Sequence, residues 1–204
     1  AIKTDWRFLP SEQLGGDALG YNWIDEDHFS FYLLDVCGHG VGAALLSISI
    51  MNVLRYKNHL QIDFLSPKEV LKALNQFFPM EEHNEMFFTI WYGIYNRKTS
   101  VVTYSSGGHP PAILVRLDDN GNKNIQELKV EGSAIGVIPH SIYSQGSCPI
   151  EKGDSIFLFS DGIYELERSD GTMVSLEEFL VNFYQPDQPQ IAHIDKLLNF
   201  SKEV

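Results

Sequence analysis

The chain reads as an α+β fold of two stacked antiparallel sheets with helices outside. Three observations carry this reading. Short aromatic and β-branched runs are numerous, the helix-like runs fall in two blocks, and polar turn signals join consecutive strands closely enough for antiparallel pairing. The order is strands, two helices, many strands, two helices.

The elements follow from local pattern. Tyr21 to Asp25 and Phe29 to Leu34 flank the turn-like "EDH" and predict a hairpin closed by Asp35. Val41 to Tyr56 is apolar with little polar interruption, which at that length predicts a buried helix. In "SPKEV", Ser66 is placed as N-cap, Pro67 as first helical residue and Glu69 as the partner of a capping box, with the helix running to about Phe78. "MFFTIWYGIYN" and "SVVTYSS" are joined by "NRKTS", and "AILVRL" and "IQELKV" flank an Asn-Gly turn, so an antiparallel meander is expected. Ile156 to Phe159 is a fully apolar strand running into Ser160 and Asp161. The tail holds "SLEEFLVNFY", capped by Ser175 with Glu178, and an amphipathic stretch from Ile191 to Phe200.

Length and composition narrow the function. At 204 residues the chain fits one domain with a sizeable core, and 44% hydrophobic content with no repeat or low-complexity tract argues against disorder. A net charge of −12 without a basic cluster argues against nucleic acid as partner. Two cysteines, Cys37 and Cys148, are not needed as a bridge at this size, which points to a reducing, cytoplasmic setting. No run of about 18 apolar residues is present to cross a bilayer. The start at Ala1, already in folded-looking sequence by Trp6, reads as a fragment of a longer protein.

The chemistry sits at strand ends. "FSFYLL" runs into Asp35 and "SIFLFS" into Asp161, each followed by glycine, and Asp17 follows the glycine pair of "LGGDALG". If the two apolar strands are neighbours in one sheet, their carboxylates converge at one edge, and Gly15 and Gly16 let the backbone bring Asp17 there. Three such carboxylates repel one another unless a cation lies between them, and an all-oxygen donor set suits Mg²⁺ or Mn²⁺. An Asp-Gly step after a strand is also an ordinary turn. The loop Gly38-His39-Gly40 leads into a helix start whose N–H groups could face an anion, and no Gly-Lys-Ser/Thr follows to make it a nucleotide P-loop.

"GGDALG", "DVCGHGVGAALL", "SSGGHPPAILV", "AIGVIP" and "KGDSIFLFSDGIYELE" occur in an order and spacing that resemble the SpoIIE-type branch of the metal-dependent Ser/Thr protein phosphatases, the PPM superfamily. The resemblance runs from about Arg7 to the last helix. It implies a PPM-type α-β-β-α sandwich with two Mn²⁺ or Mg²⁺ ions at one end of the sheets. Asp35 would bridge both ions, the Val36 backbone carbonyl and Asp17 would serve one, and Asp161 the other. The implied reaction is hydrolysis of a phosphoserine or phosphothreonine by in-line attack of a metal-bound water, with no covalent enzyme intermediate. The implied substrate is a phosphorylated anti-sigma-factor antagonist, and the implied controller is an upstream sensor or receiver domain in the same polypeptide.

Other polar residues have weaker claims. His39 is a candidate general acid to the leaving alkoxide, with loop shaping as the other reading. His109 in "GGHPP" reads as a turn residue, and His28, His59, His83, His140 and His193 as solvated. Arg7 is a candidate phosphate contact, though its spacing to Asp17 is long. The family's closing acidic pair, which supplies a further ligand, is absent from "NFSKEV", and Asp195 does not match its pattern. That departure predicts a weakened ion at Asp161 and an exposed sheet edge open to homodimer pairing. It also sustains an alternative function, a phosphatase-like module that binds a phosphoprotein without turning it over.

Overall fold

The computed structural model describes residues 2–8, 14–56, 62–118, 121, 123–160 and 172. Strands β1 (Ala18–Trp23) and β2 (His28–Val36) form the first hairpin, followed by helices α1 (Val41–Arg55) and α2 (Pro67–Phe77). Strands β3 (Phe88–Asn96), β4 (Val101–Gly107), β5 (Ala112–Leu117), β6 (Lys123–Leu128), β7 (Gly146–Pro149) and β8 (Ser155–Phe157) complete the described elements. They build a five-stranded sheet in the order β1-β2-β3-β4-β7 and a three-stranded sheet in the order β6-β5-β8. Every pairing is antiparallel.

Two apolar layers hold these sheets. Alternation along β2 sends Tyr32, Leu34 and Val36 to one face, where they meet Leu46, Ile50 and Leu54 of α1 and Val70, Leu71 and Leu74 of α2. Between the sheets lie Trp91, Val102, Tyr104, Leu114 and Leu128, with Phe31 packed against them. Trp91 is fully buried, and its indole N–H donates to the Leu128 carbonyl at 3.0 Å, so one side chain ties the two sheets by both packing and polarity. Arg116 of β5 is a second tie: it grips Asp154 and donates to the Pro149 carbonyl at the end of β7, 2.9 Å away. The helix layer expected over the smaller sheet falls on residues outside the described set, as do the tail stretches at 175–184 and 191–200.

Several expectations change in three dimensions, among them that of a solvated His83, whose Nε2 is buried and whose ring lies 5.3 Å from that of Phe78. The meander does not stay in one sheet. After β4, Gly108 takes a φ of 75° and Pro110 and Pro111 offer no N–H to extend a ladder, so the chain leaves for the second sheet and β7 returns to pair with β4. Helix α1 is not buried all round, because a helix laid on the outside of a sheet covers it with one stripe; Val41, Leu45 and Ile48 are exposed. The capping box does not form. Ser66 sits at the N-cap without a side-chain cap, its hydroxyl lies 3.4 Å from the Gln145 amide oxygen, and Glu69 faces Lys72 at 3.6 Å. His28 is not merely solvated: Nδ1 lies 2.8 Å from Asp25 and Nε2 2.9 Å from the Asn96 amide.

Both cysteines are free thiols. Among the described residues no helix is long and apolar enough to cross a membrane.

Candidate metal centre

The site begins with strand register. The β1–β2 ladder ends at Ala18 and Leu34, and just beyond it Gly16 lies against Val36, so the segment carrying Asp17 runs alongside the end of β2 that carries Asp35. Burial agrees with this geometry. Gly16 is buried, and a Cβ placed on it would lie 2.6 Å from the Val36 carbonyl oxygen, so β1 approaches β2 there as closely as a glycine permits. Asp35 shares the parity of Phe31, which packs toward the inter-sheet layer, so its carboxylate is set on that face at the end of β2. Oδ1 of Asp17 is buried and has no hydrogen-bond partner. A buried carboxylate oxygen in that condition is costly unless something is coordinated there.

The loop after β2 is held by backbone contacts. Cys37 N–H donates to the Phe87 carbonyl at 2.9 Å, and Phe87 N–H donates to the Cys37 sulfur at 3.1 Å. The thiol thus takes the place of a ladder carbonyl, and the main chain turns away through Gly38 (φ 83°) and Gly40 (φ 92°). Gly40 N–H donates to the Leu14 carbonyl at 2.7 Å and His39 bridges Gly15, which stitches the loop to the segment carrying Asp17. Helix α1 then starts at Val41 with no acidic residue in its first turn.

The expected residues are therefore partly assembled. Gly16, next to Asp17, lies against Val36, next to Asp35, so the segments carrying these three donors are adjacent, while Asp161 lies outside the described residues. Among the described residues no three His, Cys, Asp or Glu side chains converge; the described donors here are two carboxylates and a backbone carbonyl. Oxygen donors of this kind, one of them a buried orphan, fit a hard divalent cation. The strands that lead to Asp35 and Asp161 are not neighbours in one sheet: β2 belongs to the five-stranded sheet and β8 to the three-stranded one. His39 is exposed, and only its backbone is engaged in the bridge to Gly15. His109 is buried, with Nδ1 2.9 Å from the Pro110 carbonyl and its own carbonyl accepting from Ser106 Oγ, as a turn residue should be. Arg7 lies 2.9 Å from Asp5 and 3.0 Å from the Trp6 carbonyl. The Cys37–Phe87 contact had no signal in the sequence, because its partners are 50 residues apart.

The sequence profile of the Stage II sporulation protein E (SpoIIE) family matches residues 25–199. The chain belongs to the SpoIIE family. It is 32% identical over 165 residues to the phosphoserine phosphatase RsbU of Bacillus subtilis, covering 80% of this chain and 47% of that protein. The chain thus spans about half the length of that relative. The SiaA-PP2C domain of Pseudomonas aeruginosa superposes with a TM-score of 0.72 at 18% identity, covering 93% of this chain and 73% of that one. RsbX, solved in complex with magnesium, superposes with a TM-score of 0.59 at 17% identity, covering 92% of this chain and 80% of that one. The two-sheet α+β architecture is therefore that of the SpoIIE and PP2C-type domains.

Proposed function

We propose that this chain is a Mn²⁺- or Mg²⁺-dependent phosphatase acting on a phosphoserine or phosphothreonine of a regulatory protein. The observation that carries the reading is the buried unpartnered oxygen of Asp17 on a segment that Gly16 packs against Val36, beside Asp35 at the end of β2. Asp35 would face both ions, Asp17 and the Val36 carbonyl one of them, and Asp161 the other. Ions held there would supply an activated water and neutralise charge on the phosphoryl oxygens. The chain's own part is placement: Asp35 stands on β2, Asp17 on the segment leading into its partner β1, and the loop from Cys37 to Gly40 is tied down on both sides, so the donors are held before substrate arrives. Kinship with the phosphoserine phosphatase RsbU supports the substrate class, and magnesium in RsbX supports the metal class. A phosphorylated anti-sigma-factor antagonist type of protein is the proposed substrate, and an upstream regulatory domain of the same polypeptide the proposed controller.

The test is hydrolysis of p-nitrophenyl phosphate across a Mn²⁺ titration, comparing the chain with Asp35→Ala. Manganese-dependent turnover that disappears in the variant is expected. Absence of turnover at every Mn²⁺ level would overturn the enzymatic reading in favour of a phosphoprotein-binding module.

A further inference from the structure

Two independent contacts converge on one carbonyl. The Val36–Cys37 peptide is trans, so its C=O and N–H point in opposite directions. The Cys37 N–H is committed to the Phe87 carbonyl on the β3 side at 2.9 Å, which turns the Val36 C=O away from β3 and toward β1. On the β1 side the nearest position is Gly16, where an added Cβ would stand 2.6 Å from that oxygen and 2.7 Å from the Val36 Cβ. Real side chains do not tolerate either distance. Gly16 differs in this from its neighbours in the loop: Gly38 and Gly40 have positive φ and open space around them, whereas Gly16 is not among the residues with positive φ and is required for room alone.

We infer that Gly16 is a positioning residue of the metal centre: by having no side chain it lets the Val36 carbonyl, aimed by the Cys37–Phe87 clamp, reach the same point as the Asp17 carboxylate. The inference rests on the proposed role of Val36 and Asp17 as metal ligands. A side chain at position 16 pushes the Asp17 segment off Val36 and separates two donors that must share one ion. Because the carbonyl is a backbone group, no substitution at Val36 can supply it elsewhere, so the burden falls on position 16.

The experiment measures Mn²⁺ affinity of the full chain by electron paramagnetic resonance of the free ion. Gly16→Ala should weaken binding roughly 10–100-fold, the range for residues that orient metal ligands. Gly20→Ala is the control for crowding, since its Cβ would strike the Tyr32 ring within the same β1–β2 ladder but away from the site; it should bind as the wild type does. Adding Val36→Gly to Gly16→Ala removes the contact with the Val36 Cβ but not the carbonyl contact, so affinity should stay low. Wild-type affinity in Gly16→Ala, equal loss in Gly20→Ala, or restoration by Val36→Gly would each overturn the inference. Should Gly16→Ala fail to fold, the wild type still decides. Val36–Cys37 is the only Val-Cys step in the sequence, so ¹³C-carbonyl valine with ¹⁵N-cysteine isolates that one peptide by nuclear magnetic resonance. Its resonance should move on Mg²⁺ addition, and a static resonance while Mg²⁺ binds would sink the proposal. Asp35→Ala separates the two levels: if it binds Mn²⁺ as the wild type does, the metal reading itself is wrong.

Discussion

Asp17→Asn should make the metal-free chain more stable and at the same time remove its response to Mn²⁺. Oδ1 of Asp17 is buried without a partner, a condition that costs about 1–3 kcal/mol for a neutral group and more for a charged one. Asp35 lies at the end of β2 alongside the Asp17 segment, so like-charge repulsion between the two carboxylates would add to the cost. The amide keeps the shape and drops the charge but leaves a polar atom still short of a partner, so only part is recovered. An increment of about 1 kcal/mol is expected, or about 2–4 °C in Tm for a domain of this size. The metal works in the other direction. An ion at a hundred times its Kd stabilises the native state by about 2.7 kcal/mol, which corresponds to about 5–10 °C. Scanning calorimetry in EDTA and in Mn²⁺ should therefore give melting temperatures that cross, with the variant above wild type in EDTA and below it in Mn²⁺. A variant less stable than wild type in EDTA would refute the costly-carboxylate argument. An undiminished rise with Mn²⁺ would refute Asp17 as a ligand.

Two further outcomes test the frame around the site. Asp154, with a side chain only 2% exposed, accepts from Arg116 Nη2 at 2.6 Å and from the Glu151 N–H at 2.8 Å. Burial pushes its carboxyl up, but the Arg116 guanidinium and the Glu151 N–H outweigh this and hold it below the usual carboxylate range. Because the folded-state value is depressed, its contribution is present above the unfolded value near about 3.9 and is lost as pH falls through the folded value. Asp154→Asn should cost about 2 kcal/mol in urea unfolding at pH 7, with the gap to wild type closing as pH drops below about 4. His39→Ala keeps the backbone bridge to Gly15, so Mn²⁺ affinity should be unchanged and turnover should fall by less than about tenfold; a loss of about 10²–10⁴-fold together with one limb of the pH–rate profile would instead establish a general acid.

What the sequence determined is local. The apolar runs and Asn-Gly and Ser-Pro signals place β2 to β6, α1 and α2 close to their observed limits, since period and turn chemistry act over a few residues, whereas the short β7 carries no such signal and β1 begins three residues before Tyr21. The resemblance of "GGDALG" and "DVCGHG" to a phosphatase family also singled out Asp17, Asp35 and Val36, whose segments the fold sets side by side through the Gly16–Val36 approach. Tertiary structure alone decided the rest. The division of the meander into two sheets at Gly108 to Pro111, the pairing of β7 with β4, and the diversion of the Ser66 hydroxyl toward Gln145 all depend on which distant surfaces pack. The same holds for the network of His28 with Asp25 and Asn96 and for the thiol of Cys37 that replaces a ladder carbonyl opposite Phe87. Those contacts join residues far apart in the chain, and their energies are realised only when the whole sheet is in register. The role of Gly16 shows the division most plainly: as a residue type it signals a turn, but the carbonyl it makes room for is twenty residues away and is aimed from β3.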